Sequence, residues 1–237
     1  MNVVSLLREG MQALMSVLFP EKCVVCGRTL VSGEHLICLH CNVAMPRTRY
    51  HLSRFNHMHE RLMGEARVER AAAWFHYKRK SPYTNIILQA KYFDRPEVAT
   101  DAAAMFAAEI RPDGFFDGID VILPVPMHPF KELRRGYNQA EIIARGLSRV
   151  TGLPIGDNLK ARHEHKTQTR RGAYDRYVNV AHLFEVVHSD ELAGLHVLVV
   201  DDVMTTGSTV LSCCEALRRS VPDATISVLT LASATLD

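Results

Sequence analysis

A chain of 237 residues, 47% hydrophobic and 23% charged, holds one mid-sized globular domain plus a small appendage, and is not disordered by composition. Its net charge of +2 excludes nucleic-acid binding driven by overall charge, though not a local basic patch. The opening stretch, Asn2 to Leu18, is apolar but carries Arg8 and Glu9, unlike a signal peptide or the roughly 20 uncharged residues of a membrane span. Val3, Leu7, Met11, Leu14 and Leu18 fall at helical spacing and predict an amphipathic helix over residues 1–20, packed on the protein. Attachment to a membrane surface is the rival, weakened by a polar face without a Lys or Arg cluster. The chain therefore reads as cytoplasmic, with no membrane span, and its six cysteines as reduced unless they bind metal.

Residues 21–64 predict a zinc-ribbon-like module and linker. Cys23-x2-Cys26 and Cys38-x2-Cys41 are two knuckles that suit a tetrahedral structural zinc with four thiolates. Gly27 and Gly33 fit the tight turns such a site needs. A redox Cys-x-x-Cys normally comes alone, near a βαβ pattern. His35 and His40 are alternative ligands, but cysteine already fills four positions, and a closed four-Cys site leaves no place for catalysis. Pro46 to Gly64, rich in His and Arg, reads as a linker or irregular cover.

Residues 65–237 predict the main domain. Arg70 to Tyr77 reads as a strand, Tyr83 to Tyr92 and Glu97 to Ile110 as helices, and Asp120 to Val125 as a buried strand. Asn138 to Val150 is a helix and His182 to Val187 a weaker strand. Leu195 to Val200 is a strand, Gly207 to Arg219 its helix, and Ala224 to Leu231 a closing strand. Alternation of this kind implies an α/β fold with a parallel sheet covered on both sides. Neither Gly-x4-Gly-Lys-Ser/Thr nor Gly-x-Gly-x-x-Gly occurs, which removes the main support for nucleoside-triphosphatase and dinucleotide readings. Cys213 and Cys214, adjacent in a helix, read as small buried apolar residues.

Three segments carry chemistry. Val197–Val200 is apolar throughout, as a central parallel strand must be, and Asp201 and Asp202 follow where such strands open on a ligand crevice. Val203, Met204, Thr205, Thr206, Gly207, Ser208 and Thr209 then supply hydroxyls, a glycine for close approach and a helix start with free N–H groups. Together these make a pocket for a sugar phosphate. Pro124-Val125-Pro126-Met127-His128 ends another strand in a rigid turn, and Lys131, Arg134 and Arg135 follow it. Arg162 to Asn179, with Arg162, Lys166, Gln168 and Arg176, is too long and polar for an ordinary connection. Its basic residues, with Tyr174 and Tyr177 interleaved, also suit single-stranded nucleic acid.

The Val197–Thr209 stretch closely resembles the 5-phosphoribosyl-1-diphosphate (PRPP) signature of type I phosphoribosyltransferases. That resemblance implies that Asp201 and Asp202 hold the ribose hydroxyls and that Val203–Thr209 wraps the 5-phosphate. It further implies a diphosphate loop at Val125, Pro126, Met127 and His128, and a lid with anion-binding Arg134, Arg135, Arg162, Lys166, Gln168 and Arg176. Along nearly the whole chain, the order Leu18-Phe19-Pro20, the four-Cys module, Lys91-Tyr92, Pro-Val-Pro-x-His, Arg-Arg-Gly-Tyr-Asn-Gln-Ala-Glu, Lys-Thr-Gln-Thr and Val-Asp-Asp-Val-x-Thr-Thr-Gly-Ser-Thr is similar to the ComF/GntX family. Gly172-Ala173-Tyr174-Asp175 is less apolar than the usual family stretch.

The resemblance implies a parallel-sheet type I phosphoribosyltransferase fold with a small four-Cys zinc module. It implies PRPP or ribose 5-phosphate as ligand, Mg²⁺ arriving with PRPP, and transfer to an unidentified acceptor, in DNA uptake and natural transformation or in nucleotide-related metabolism. The alternative is a non-catalytic, PRPP-sensing adaptor that engages single-stranded DNA or a DNA-uptake or helicase partner.

Overall fold

Four apolar runs pair into one parallel sheet: β1 (Arg70–Tyr77), β2 (Val121–Pro124), β5 (His196–Met204) and β6 (Thr225–Ala234), in the order β1-β6-β5-β2. The computed structural model describes residues 20–63, 66–92, 95–127, 132–133, 135–162 and 183–234; the expected N-terminal helix lies outside them. Side chains of a strand alternate between faces, and both faces here are covered. Leu198, Val200, Leu229 and Leu231 join one core, and Val197, Val199, Ile226 and Val228 the other. Burial on both faces is why β5 shows an apolar run rather than alternation, and the buried hydroxyls of Ser227 and Thr230 in β6 are hydrogen-bonded to His196 and to the Ala232 carbonyl.

The first core is covered by α3 (Thr84–Tyr92), α4 (Pro96–Ile110) and α5 (Gln139–Thr151), through Ile86, Phe106 and Ile143. Helices α4 and α5 approach closely because Gly146 has no side chain. A Cβ there would stand 2.2 Å from the Thr100 carbonyl oxygen. The cysteine segment, with its short helix α1 (Leu39–Val43), packs into the same core. Cys23, Ile37, Cys38, Cys41 and Met45 share it with Trp74, Phe75 and Tyr83. Tyr83 donates its hydroxyl to the Cys41 carbonyl at 2.8 Å, and Glu109 of α4 accepts from both Arg47 (2.7 Å) and Trp74 (3.0 Å).

The second core is covered by α2 (His57–Leu62) and α6 (Ser208–Ser220), through Met58, Leu62, Val210, Cys213, Cys214 and Leu217. Cys213 and Cys214 are wholly buried, as expected of small apolar residues. Helix α2 falls in the stretch expected to be a linker. Asn56 builds it: its side-chain oxygen caps the amides of Met58 and His59, and its amide binds the Ala71 carbonyl of β1 at 2.9 Å.

Two further departures concern strands. The weak strand expected from His182 is Phe184–Val186 (β4), and it lies outside the parallel sheet, pairing antiparallel with β3 (Leu159–Ala161). Each of these short strands buries one residue, Leu159 or Phe184, enough for a one-sided ribbon but not for a central strand. The motif strand runs four residues further than expected, to Met204, because β6 continues to pair with it beyond the acids. Among the described residues no helix is long and apolar enough to cross a membrane.

Candidate functional site

Strand β2 stops at Pro124, level with Val200 of β5, and the Val125 amide makes one last bond to the Val200 carbonyl at 2.9 Å. Strand β5 continues past that point, so Asp201 and Asp202 emerge beside the loop formed by Val125, Pro126 and Met127. A cleft of about 710 Å³ opens there, lined by Asp201, Asp202, Val203, Thr205, Thr209, Val125, Pro126, Met127, Arg135 and Arg162. Residues as far apart in the chain as Val125 and Thr209 are thus joined by one strand end, as open parallel sheets dictate.

The two acids are not equivalent. Asp202 is paired with Lys91 of α3, Nζ to Oδ2 at 2.5 Å. Asp201 accepts the Asp202 backbone amide at 2.8 Å. Burial pushes the Asp201 carboxyl up to about 7, and the neighbouring Asp202 charge adds to the shift, against the amide and Lys91.

After Met204 the chain turns through exposed Thr205 and Thr206 to Gly207, which precedes α6 with φ 87°. No side chain caps this 13-residue helix from its N-cap position. Thr206 Oγ1 instead lies 3.1 Å from Ser208 Oγ and accepts the Ser208 amide at 3.4 Å. Exposed hydroxyls and uncapped amides at a helix start form an anion cradle. Arg61 of α2 supports the turn from behind, donating to the carbonyls of Thr205 (3.1 Å) and Ala234 (2.6 Å).

Around the other wall, Asn138 caps α5 through the Ala140 amide and donates to the Val125 carbonyl at 3.0 Å, fixing the loop to the helix. Arg135 donates to Gln139. Arg162 sits at the end of β3, paired with Glu185 at 3.3 Å. His128, Arg134, Lys166, Gln168 and Arg176 lie outside the described residues.

The expected ligand cysteines do converge. The Sγ atoms of Cys23, Cys26, Cys38 and Cys41 all lie within 4.8 Å of one another, and Cys26 Sγ to Cys38 Sγ is 3.8 Å. That edge matches a tetrahedron with metal–sulfur bonds of about 2.3 Å. Cys23 Sγ accepts the Cys38 amide and Cys38 Sγ the Cys41 amide, at 3.3 and 3.4 Å. Burial raises the Cys23 thiol, but the amides outweigh it and lower it to about 7. Burial and its three neighbours drive Cys41 upward. Four sulfurs so close repel as thiolates without a cation among them, and the donor set fits a metal ion such as zinc. His35 is engaged elsewhere, with Asp101 at 3.0 Å.

The sequence pattern alone does not point to Lys91 or Arg61 as site residues. Lys91 stood in the Lys-Tyr pair that ends a helix, a signal that marked the residue without giving its target. Arg61 lay in a stretch with no periodicity, and only the fold shows its place.

The phosphoribosyl transferase domain family matches residues 89–235. Competence protein F of Haemophilus influenzae is 41% identical over 103 residues, 42% of this chain and 44% of that protein. DNA utilization protein YhgH of Salmonella typhi is 29% identical over 143 residues, 59% of this chain and 62% of that protein. Competence protein ComFC of Bacillus subtilis is 24% identical over 209 residues, covering 88% of this chain and 76% of that protein. The matched stretches span less than two thirds of the Haemophilus and Salmonella proteins.

Proposed function

This chain belongs to the phosphoribosyl transferase domain family, as a member of the ComF/YhgH type, and we propose that it binds PRPP in the cleft at the end of β5. The observation that carries the reading is the joining, in one cleft, of two strand-end carboxylates and a hydroxyl-rich helix start. Asp201 and Asp202 orient the ribose hydroxyls, and Thr205–Thr209 with the α6 amides receives the 5-phosphate. The Val125–His128 loop faces the diphosphate. Mg²⁺ accompanies PRPP and offsets the diphosphate charge. In the transferase reading, diphosphate leaves the anomeric carbon as an acceptor nucleophile bonds to it, and the two carboxylates favour the positive charge that develops on the sugar. The Arg162–Arg176 segment acts as the lid that excludes water and neutralises the leaving group.

The cysteine cluster holds a structural zinc in this reading, with all four positions filled by Cys23, Cys26, Cys38 and Cys41. The names of the relatives support a role in DNA uptake or use. They equally support a second reading, an adaptor that senses PRPP and engages single-stranded DNA or a DNA-uptake partner.

Titration calorimetry with Mg²⁺ and PRPP or ribose 5-phosphate tests the site. Wild type binds, and Asp201→Asn with Asp202→Asn abolishes binding while the fold persists. Folded, zinc-loaded wild type that ignores millimolar PRPP overturns the reading. Diphosphate release from PRPP in the presence of candidate acceptors separates transferase from adaptor.

A further inference from the structure

The cleft contains a cation whose target is already clear and whose purpose is not. Lys91 lies in the last turn of α3, and its side chain and that of Asp202 are 24% and 13% exposed, in contact at 2.5 Å. The helix end itself is anchored on the opposite wall. Tyr137 donates its hydroxyl to the Ala90 carbonyl, and the next residue, Asn138, holds the Val125 carbonyl. The Lys91 backbone is thereby fixed to the loop that ends β2, while its ammonium reaches across to β5. A flexible four-carbon stem lets the charge move several ångströms without moving the helix.

A second observation points to an oxygen-rich ligand on the same wall. Gln139 is 3% exposed and lines the cleft. Its Oε1 takes Arg135, and its Nε2 has no partner among the described residues. A buried N–H without an acceptor is costly, so it marks where a ligand oxygen belongs.

We propose that Lys91 is a substrate-exchanged counter-ion, which neutralises Asp202 until ligand arrives and then carries its charge to the diphosphate, releasing Asp202 to a ribose hydroxyl. The assignment rests on the PRPP reading of the cleft. Its competitor is a plain salt bridge fastening α3 to β5, which would act on every ligand of the cleft alike. An exchanged counter-ion acts on ligands according to whether they carry the diphosphate.

Calorimetry of the full-length, zinc-loaded chain with ribose 5-phosphate and with PRPP, each with Mg²⁺, separates the two. Lys91→Met weakens PRPP about tenfold or more, the loss of one charge-assisted contact. It leaves ribose 5-phosphate binding unchanged or tighter, because Asp202 no longer has to be released. Lys91→Arg restores most of the PRPP affinity. Lys91→Gln, which keeps a polar stem, gives the same comparison if Lys91→Met fails to fold. Equal loss for both ligands, or no change for either, overturns the assignment alone. Wild type that binds neither ligand overturns the PRPP reading, and this assignment with it.

Discussion

Two carboxylates on consecutive residues at a strand end repel one another, and Asp201 and Asp202 resolve this unequally. Asp202 has the ammonium of Lys91, whereas Asp201 has one backbone amide and is pushed from 3.8 to about 7 by burial and its neighbour. A carboxyl with a raised folded pKa binds its proton more tightly in the native state than in the unfolded one. Stability therefore falls as pH rises between about 4 and 7. Asp201→Asn removes that loss, so the variant is more stable than wild type at pH 8 by on the order of 1–2 kcal/mol and nearly equal to it at pH 4. Urea unfolding at the two pH values checks this, and parallel pH profiles for the two proteins would refute it. Gly207 makes a different demand on its residue. Its φ of 87° is one that side chains rarely adopt, and a Cβ there would stand 3.1 Å from Met204 Cε. The methionine end can move aside, so the backbone sets the cost. Gly207→Ala is expected to destabilise by about 1 kcal/mol and to weaken ribose 5-phosphate binding by turning the α6 amides away. Thermal melting and calorimetry read the two effects separately.

Elements were legible where one physical rule governed them. Val197–Val200 is buried on both faces, so its continuous apolar run could mean little else, and Ile226–Ala232 is buried throughout with only Ser227 and Thr230 interrupting its apolar residues. The helix over 139–151 begins at the Asn138 cap and ends at Gly152, both visible in sequence. The paired cysteine knuckles gave their own convergence. What stayed hidden was set by tertiary contact. Strand β3 has three residues and takes its shape from β4. Helix α2 depends on Asn56 reaching Ala71, 15 residues on. The Lys91–Asp202 pair joins helix α3 to strand β5. No local pattern encodes such contacts. The contact between α4 and α5 was equally silent, yet Gly146 leaves no room for a side chain. Gly146→Val is expected to cost about 2–3 kcal/mol by overpacking, read as a lower urea midpoint. The cysteine segment shares its core with Trp74 and Tyr83, so metal loss should not stay local. Metal analysis should find about one zinc per chain. Chelation or Cys23→Ser should lower the melting temperature of the whole chain, because binding free energy at such sites is folding free energy. A metal-free protein that melts unchanged would refute both the ligand assignment and the coupling.

At the scale of the molecule the net charge is +2, too small to draw in nucleic acid from a distance. Binding to single-stranded DNA is then expected from local concentrations of cations, and the sequence offers two, the basic residues from Arg162 to Arg176 and those from Lys131 to Arg135. The same cations are proposed to neutralise diphosphate, so the two ligands should compete. This makes the DNA reading testable without knowing its biological partner. Binding to an oligothymidylate should be weak, without base preference, and should fall steeply as salt rises. Replacing Arg170 and Arg171 with alanine should lower affinity and flatten the dependence of log affinity on log salt by about 1.4, two phosphate contacts on a single strand. Saturating Mg-PRPP should displace the DNA in wild type. With Asp201→Asn and Asp202→Asn, which cannot hold the ribose, the DNA should stay bound. Fluorescence anisotropy measures all of these. DNA binding that survives both the arginine replacements and PRPP would put the nucleic-acid surface elsewhere on the chain. No binding at low salt would leave the arginines with the phosphate ligand alone.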